Sequence, residues 1–209
     1  MYKPNRTYEH NDQSRTVVIN AKDHVAGKLA TFVAKHILEG VPVTVVHAEN
    51  LVFTGPIERG VGRFKDFLNK RKLTNPLRGP FHHRSPSMLF TRIVKRMVPK
   101  KKYKGQCALS LLTVHDSCPD DLVSTHCMVC PRAMLKYTAD PIRRFYYMKD
   151  LCFKFGWKYF NEVERQNKAV EEIKQKEREE KEKIAERESS IRESDKFKRR
   201  VEELMAQIE

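Results

Sequence analysis

Between Arg59 and Lys104 stand fifteen lysines and arginines and one acid, Asp66. That stretch alone carries a charge equal to the formal net charge of the whole chain, +14. Cations crowded at one sign repel one another unless a polyanion covers them. A nucleic acid is therefore the first partner to consider, and an anionic membrane surface the lesser one. A surface tuned only for solubility mixes both signs, and this one does not. Within the stretch, Arg78, His82, His83 and Arg84 surround Phe81 on a segment stiffened by Pro76, Pro80 and Pro86. Cations supply phosphate contacts and a ring supplies a stacking face, which is how unpaired RNA is commonly held. Phe81 reads first as a packing residue and second as such a platform.

Two further constellations are weighed for chemistry. His115-x2-Cys118 and Cys127-x2-Cys130 form two hooks that could supply four tetrahedral zinc ligands, with His126 as a spare. The competing reading buries Cys118, Cys127 and Cys130 as small apolar side chains, and on it no metal and no cofactor is expected. Cys127-Met128-Val129-Cys130 lacks the strand-to-helix setting of a redox pair. Enzymatic signatures are missing: Gly60-Val61-Gly62 has no third glycine, and there is no phosphate loop, HExxH helix or serine elbow. An enzyme is not expected.

The elements that position these groups follow from periodicity. Thr16 to Asn20 is a short β-branched run ended by turn formers and reads as a buried strand. Leu29, Phe32, Val33 and Ile37 recur at helical spacing, with Asp23 as the expected N-cap and Gly40 past the end. Val43 to Val46 and Leu51 to Phe53 read as the next strands, so strand, helix, strand predicts a parallel βαβ unit and an α/β class. Gly60 to Arg71 reads as a short basic amphipathic helix. Ser85 before Pro86 predicts an N-cap and a first-turn proline, opening a helix to about Val98. At about 100° per residue, Leu89, Phe90, Ile93, Val94 and Met97 fall in one arc and Arg92, Lys95 and Arg96 in the opposite one.

Farther on, Ala108 to Leu111 reads as a helical turn, Leu112 to His115 as a last strand, and 116–140 as irregular. Ile142, Phe145, Met148, Cys152 and Phe155 sit at helical spacing. From Asn161 there is no Pro or Gly, and Glu-to-Lys pairs at i,i+4, such as Glu172 with Lys176, predict a long, mostly solvated helix resting apart from the core. Its heptad seam is interrupted at Glu177 and Lys198, so a self-dimerising coiled coil is not the reading adopted. The 40% of hydrophobic residues suffices for one core. No apolar run reaches the roughly 18 to 20 residues of a membrane span, and the first fifteen residues lack the apolar centre of a secretory signal.

Asn75-Pro76-Leu77-Arg78-Gly79-Pro80-Phe81-His82-His83-Arg84-Ser85-Pro86-Ser87, followed by Arg92-Ile93-Val94-Lys95-Arg96-Met97-Val98-Pro99, resembles the L-thirteen family of large-subunit ribosomal proteins in its archaeal and eukaryotic cytosolic form. Gly27-Lys28-Leu29-Ala30, Lys104-Gly105-Gln106-Cys107-Ala108-Leu109 and Gly156-Trp157-Lys158-Tyr159 carry the likeness across residues 16–160. The family usually has glycine at Arg96, leucine at Val98, and Asp-Gly with prolines where Asp116 to Asp121 stand.

The resemblance implies a three-layer α/β/α core with a four-stranded parallel sheet, a basic loop and helix extension, and no catalysis. It implies a cytosolic ribosome, with nucleolar assembly in a eukaryote, and as partners large-subunit rRNA and neighbouring ribosomal proteins. No membrane partner and no homo-oligomer are expected. A free RNA-binding or RNA-modifying factor is the alternative. The expected organisation is an extension at 1–15, an rRNA-binding core at 16–118, an irregular segment and helix at 119–160, and a charged tail at 161–209. The expected RNA-binding residues are Arg59, Arg63, Lys70, Arg71, Lys72, Arg78, His82, His83, Arg84, Arg92, Lys95, Arg96, Lys100, Lys101, Lys102 and Lys104.

Overall fold

The computed structural model describes residues 16–193 apart from 124 and 141, together with residue 197. The extension at 1–15 and the rest of the tail lie outside the described residues. The chain divides into two compact units, with the boundary after Glu164.

In the first unit, β1 (Val17–Asn20) and β2 (Val43–Val46) are parallel neighbours, joined by α1 (Ala26–Glu39) as the expected βαβ crossover. β2 pairs in parallel with β4 (Leu112–Val114), giving the order β1-β2-β4. β-branched side chains suit this pleated surface, and their two-residue period sends them to both faces. Ile19, Val43 and Val45 join the main core with Leu29, Ala30, Val33 and Ile37 of α1. Val18 and Val46 pack instead with Cys118, Leu122, Val123 and Cys127, the region of the short α5 (Asp120–Val123). Helices thus cover the sheet on both faces, thickly on one and thinly on the other.

Three strands, not four, make the parallel sheet. At the outer edge of β1 a single residue occupies the fourth position. The Asn20 N–H donates to the Met128 carbonyl at 3.0 Å and the Met128 N–H to the Val18 carbonyl at 2.7 Å. Pro131, which has no N–H to donate, opens a 3-10 turn three residues later, so the ladder stops there. The remaining strand, β3 (Val52–Thr54), pairs antiparallel with β5 (Phe145–Tyr147) in a separate ribbon.

That ribbon corrects the expectation of one helix from Ile142 to Phe155. The backbone of 145–147 is extended and bonded to β3, so α7 covers only Met148–Lys154, and Ile142 is fully exposed. The N-cap assigned to Asp23 is also corrected. α1 starts after Val25 with no side-chain cap, while Asp23 sits in a left-handed turn (φ 60°) and accepts a hydrogen bond from the Tyr147 hydroxyl at 3.1 Å. Gly40 ends α1 as expected, its N–H bonded to the His36 and Ile37 carbonyls.

The segment read as irregular is anchored by a buried histidine. The Cys130 N–H donates to His24 Nε2 at 3.1 Å, and His24 Nδ1 meets the Lys22 carbonyl at 2.8 Å. A carbonyl only accepts and an N–H only donates, so the ring carries its proton on Nδ1. Two short elements, the Pro131–Ala133 turn and α6 (Leu135–Thr138), follow this anchor. α8 (Phe160–Glu193) is the long charged helix, with Arg192 and Glu188 paired at 3.9 Å in the expected i,i+4 order. Among the described residues, no helix is long and apolar enough to cross a membrane.

Candidate nucleic-acid interface

The basic stretch is built on α2 (Ile57–Leu68), the loop 69–85, α3 (Pro86–Met97) and α4 (Tyr103–Ser110). α2 starts three residues before the expected Gly60 and buries Phe64 and Phe67. Phe64 meets Phe155 at 4.5 Å between centroids, and Phe67 meets His82 edge-on at 4.6 Å. Gly60 is buried beneath Tyr146, whose hydroxyl a Cβ there would strike. α2 therefore seats directly on β5.

The loop is fixed by its own polar side chains. Asn75 Oδ1 accepts the Leu77 N–H at 3.0 Å and caps a 3-10 turn over Pro76–Arg78. His82 Nε2 donates to the Lys70 carbonyl at 3.1 Å, and Arg84 Nη1 donates to the Phe155 carbonyl at 3.1 Å. Held in this way, the loop keeps Leu77 and Phe81 exposed. Phe81 is 78% exposed and near-parallel to His83 at 6.4 Å, so its first reading as a packing residue is replaced by that of an open ring.

α3 begins at Pro86 after Ser85, as expected, yet the Ser85 side chain makes no cap. The cap comes from Asp116, distant in sequence, whose Oδ1 accepts the Ser87 N–H at 2.5 Å. Burial pushes the Asp116 carboxyl above its ordinary range, against the pull of this bond. Leu89, Phe90 and Val94 are buried as the apolar arc requires, whereas Met97 at its end is exposed.

Arg92 departs from its assigned outward face. Its guanidinium lies 3.4 Å over the centroid of the Phe67 ring. There it is partly desolvated, and burial and then the neighbouring Arg96 lower its pKa. Of the sixteen expected residues, His82, Arg84 and Arg92 make side-chain contacts within the protein, Arg84 while remaining exposed. Arg59, Arg63, Lys70, Arg71, Lys72, Arg78, His83, Lys95, Arg96, Lys100, Lys101, Lys102 and Lys104 are exposed. Lys100 to Lys102 form a tight turn, with the Lys102 N–H bonded to the Pro99 carbonyl at 2.9 Å. Gly105 of α4 packs so closely there that a Cβ would strike that same carbonyl. The positioning roles of Asp116 and Phe67 were not readable beforehand, because both act across long sequence separations.

The cysteine hooks do not converge. Cys118 and Cys127 lie in the small cluster with Val18 and Val46, whereas Cys130 lies in the main core. No metal-competent group of three or more His, Cys, Asp or Glu is gathered among the described residues. Burial pushes the Cys130 thiol up and that of Cys152 up to about 12, so both are poor nucleophiles.

The Ribosomal protein L13 family profile matches residues 14–121. The large ribosomal subunit protein uL13 of Drosophila melanogaster is 39% identical over 159 residues, 75% of this chain and 78% of that protein. The protein of the same name from Dictyostelium discoideum is 37% identical over 147 residues, 70% of this chain and 79% of that protein. That of Caenorhabditis elegans is 35% identical over 146 residues, 70% and 72%. A match that runs through the parallel sheet, the proline-stiffened loop and the basic helix after it leaves one assignment: this chain belongs to the Ribosomal protein L13 family.

Proposed function

We propose that this chain is a structural constituent of the large ribosomal subunit, docked on rRNA through the exposed cations between Arg59 and Lys104. One observation carries the reading: thirteen exposed basic residues, including the two histidine-free clusters Lys70 to Lys72 and Lys100 to Lys102 and the helix face Lys95 and Arg96, stand without a carboxylate partner among the described residues. Phosphates are the partner that such a surface lacks, and counterion release on binding them is its driving force. Phe81 and His83 add an exposed aromatic pair for an unpaired base. The protein is not an enzyme; it works as a surface.

Neighbouring large-subunit proteins complete its surroundings, and the chain acts there as a single copy rather than as a homo-oligomer. The place of work is the cytosolic ribosome, with assembly in the nucleolus of a eukaryotic cell. The core at 16–118 carries the docking surface, 119–160 packs on that core, and 161–209 reaches neighbouring components.

Ultraviolet crosslinking of gradient-purified large subunits, with mapping of the crosslinked peptides, tests this. RNA adducts should concentrate on the segment from Arg59 to Lys104. Adducts confined to α8, or a protein absent from the subunit peak at high salt, would count against it.

A further inference from the structure

A second surface lies beside the docking face and is not explained by it. Between the start of α2 and the ribbon strand β5 runs an open groove of about 520 Å³, walled by Glu58 on one side and by Arg143, Arg144 and Phe145 on the other, with Asp150 at its edge. Ile142 is 95% exposed and Phe145 45% exposed, at positions that a buried helix would have hidden. The wall is firm, because the Gly55 N–H is bonded to the Arg144 carbonyl at 2.7 Å and the strand continues into three residues paired with β3.

We propose that this groove holds one unpaired nucleotide of the RNA that covers the basic face, with its phosphate on Arg143 and Arg144, its base against Phe145, and an amino edge of that base bonded to Glu58 or Asp150. The inference rests on the reading of Arg59 to Lys104 as an RNA-docking surface.

Three features select a nucleotide over a peptide. Two guanidinium groups beside an exposed ring are the pairing that holds phosphate and base together. The carboxylates of Glu58 and Asp150 repel phosphate but accept from the exocyclic amine of a base, so the groove sorts the two ends of a nucleotide by charge. It is also continuous with the docking face. Arg59 follows Glu58 directly on α2 and Arg63 stands about one and a half turns farther along it, and the Arg63 charge is felt at Tyr146, whose hydroxyl burial pushes up and Arg63 pulls back.

The test places a photo-reactive p-benzoylphenylalanine at Ile142 or, separately, at Leu77 of the docking loop in the full chain. Large subunits are isolated, irradiated, and the adducts sorted by ribonuclease and protease sensitivity. The Ile142 position should yield an RNA adduct at a single-stranded nucleotide. Phe145→Ala should lower that yield about tenfold, and Phe145→Trp should restore it, as a stacking role requires. A protein adduct, no adduct, or an adduct to a base-paired nucleotide at Ile142 overturns the proposal. If Leu77 gives RNA in that same experiment, the docking face stands and only the groove is lost. If Leu77 gives no RNA, the docking reading itself has failed.

Discussion

Arg92 and Lys95 lie about one helical turn apart on α3, yet the first stacks on a ring and the second is open to solvent, and replacing each with Gln separates the effects of the two settings. Arg92 stacks at 3.4 Å on a phenylalanine that is itself buried, and it is partly desolvated. A cation over an aromatic face is worth about 0.5–1 kcal/mol when exposed and about 2 when desolvated. Arg92→Gln should therefore cost about 1 kcal/mol, which lowers the Tm of a unit this size by roughly 2–4 °C. Arg92→Lys should lose most of the same amount, because an ammonium keeps the charge but not the planar stack. Lys95→Gln with Arg96→Gln removes exposed cations and should leave stability within about 0.5 kcal/mol. If each of the two meets a phosphate, that pair of changes lowers the slope of log K against log salt by roughly 1.5, at about 0.7–0.9 per contact. The assays are thermal unfolding and a salt titration of binding to an rRNA fragment. A cycle with Phe67→Leu should show that the Arg92 cost depends on the ring. An Arg92→Gln protein with unchanged Tm and a reduced salt slope would refute the reasoning and return Arg92 to the RNA side.

Three more outcomes follow from the same packing. Asp116 takes up its proton more readily in the native state than in the unfolded chain, so its share of stability is whole below the ordinary aspartate range and fades as pH rises through the native value. Asp116→Asn, which keeps an acceptor for the Ser87 N–H, should flatten that decline in unfolding measured against pH, whereas Asp116→Ala should cost about 1 kcal/mol for the lost cap. Gly105→Ala should cost about 1–3 kcal/mol by chemical denaturation, since the new methyl must displace the Pro99 carbonyl and the lysine turn with it. Iodoacetamide at pH 8 should label the exposed Cys107 of the native protein and spare Cys152, which is buried and has its thiol held near 12; equal labelling of both would contradict the packing of α7.

Which features were legible in the sequence follows from how local their causes are. The run Val17-Val18-Ile19, the 3.6-residue period of α1, and Ser85 before Pro86 are local signals, and each produced the expected element. The ribbon of β3 with β5 was hidden because Ile142, Phe145, Met148, Cys152 and Phe155 repeat at a helical period, and only a partner some ninety residues earlier draws 145–147 into extended backbone. Met128 at the sheet edge gave no signal, since one bridged residue has no period.

The same rule holds for the candidate interface. Composition alone located the basic stretch and the stiff loop. The helical wheel placed Lys95 and Arg96 outside, but it could not see Phe67 beneath Arg92, nor the Phe155 carbonyl in reach of Arg84. The contacts that set a cation held against the protein apart from one left open are tertiary.

The account stands or falls on which cations dock the protein. The direct measurement is incorporation into large subunits, followed by sucrose gradient, for two full-length variants of equal charge loss. One carries Arg78→Gln, Lys95→Gln, Arg96→Gln and Lys101→Gln, all exposed and none in a protein contact described above. The other carries Lys174→Gln, Lys181→Gln, Lys183→Gln and Arg187→Gln on α8. The first should fold normally and be missing from the subunit peak while the second assembles. Normal assembly of the first with failure of the second would place the docking surface elsewhere in the chain.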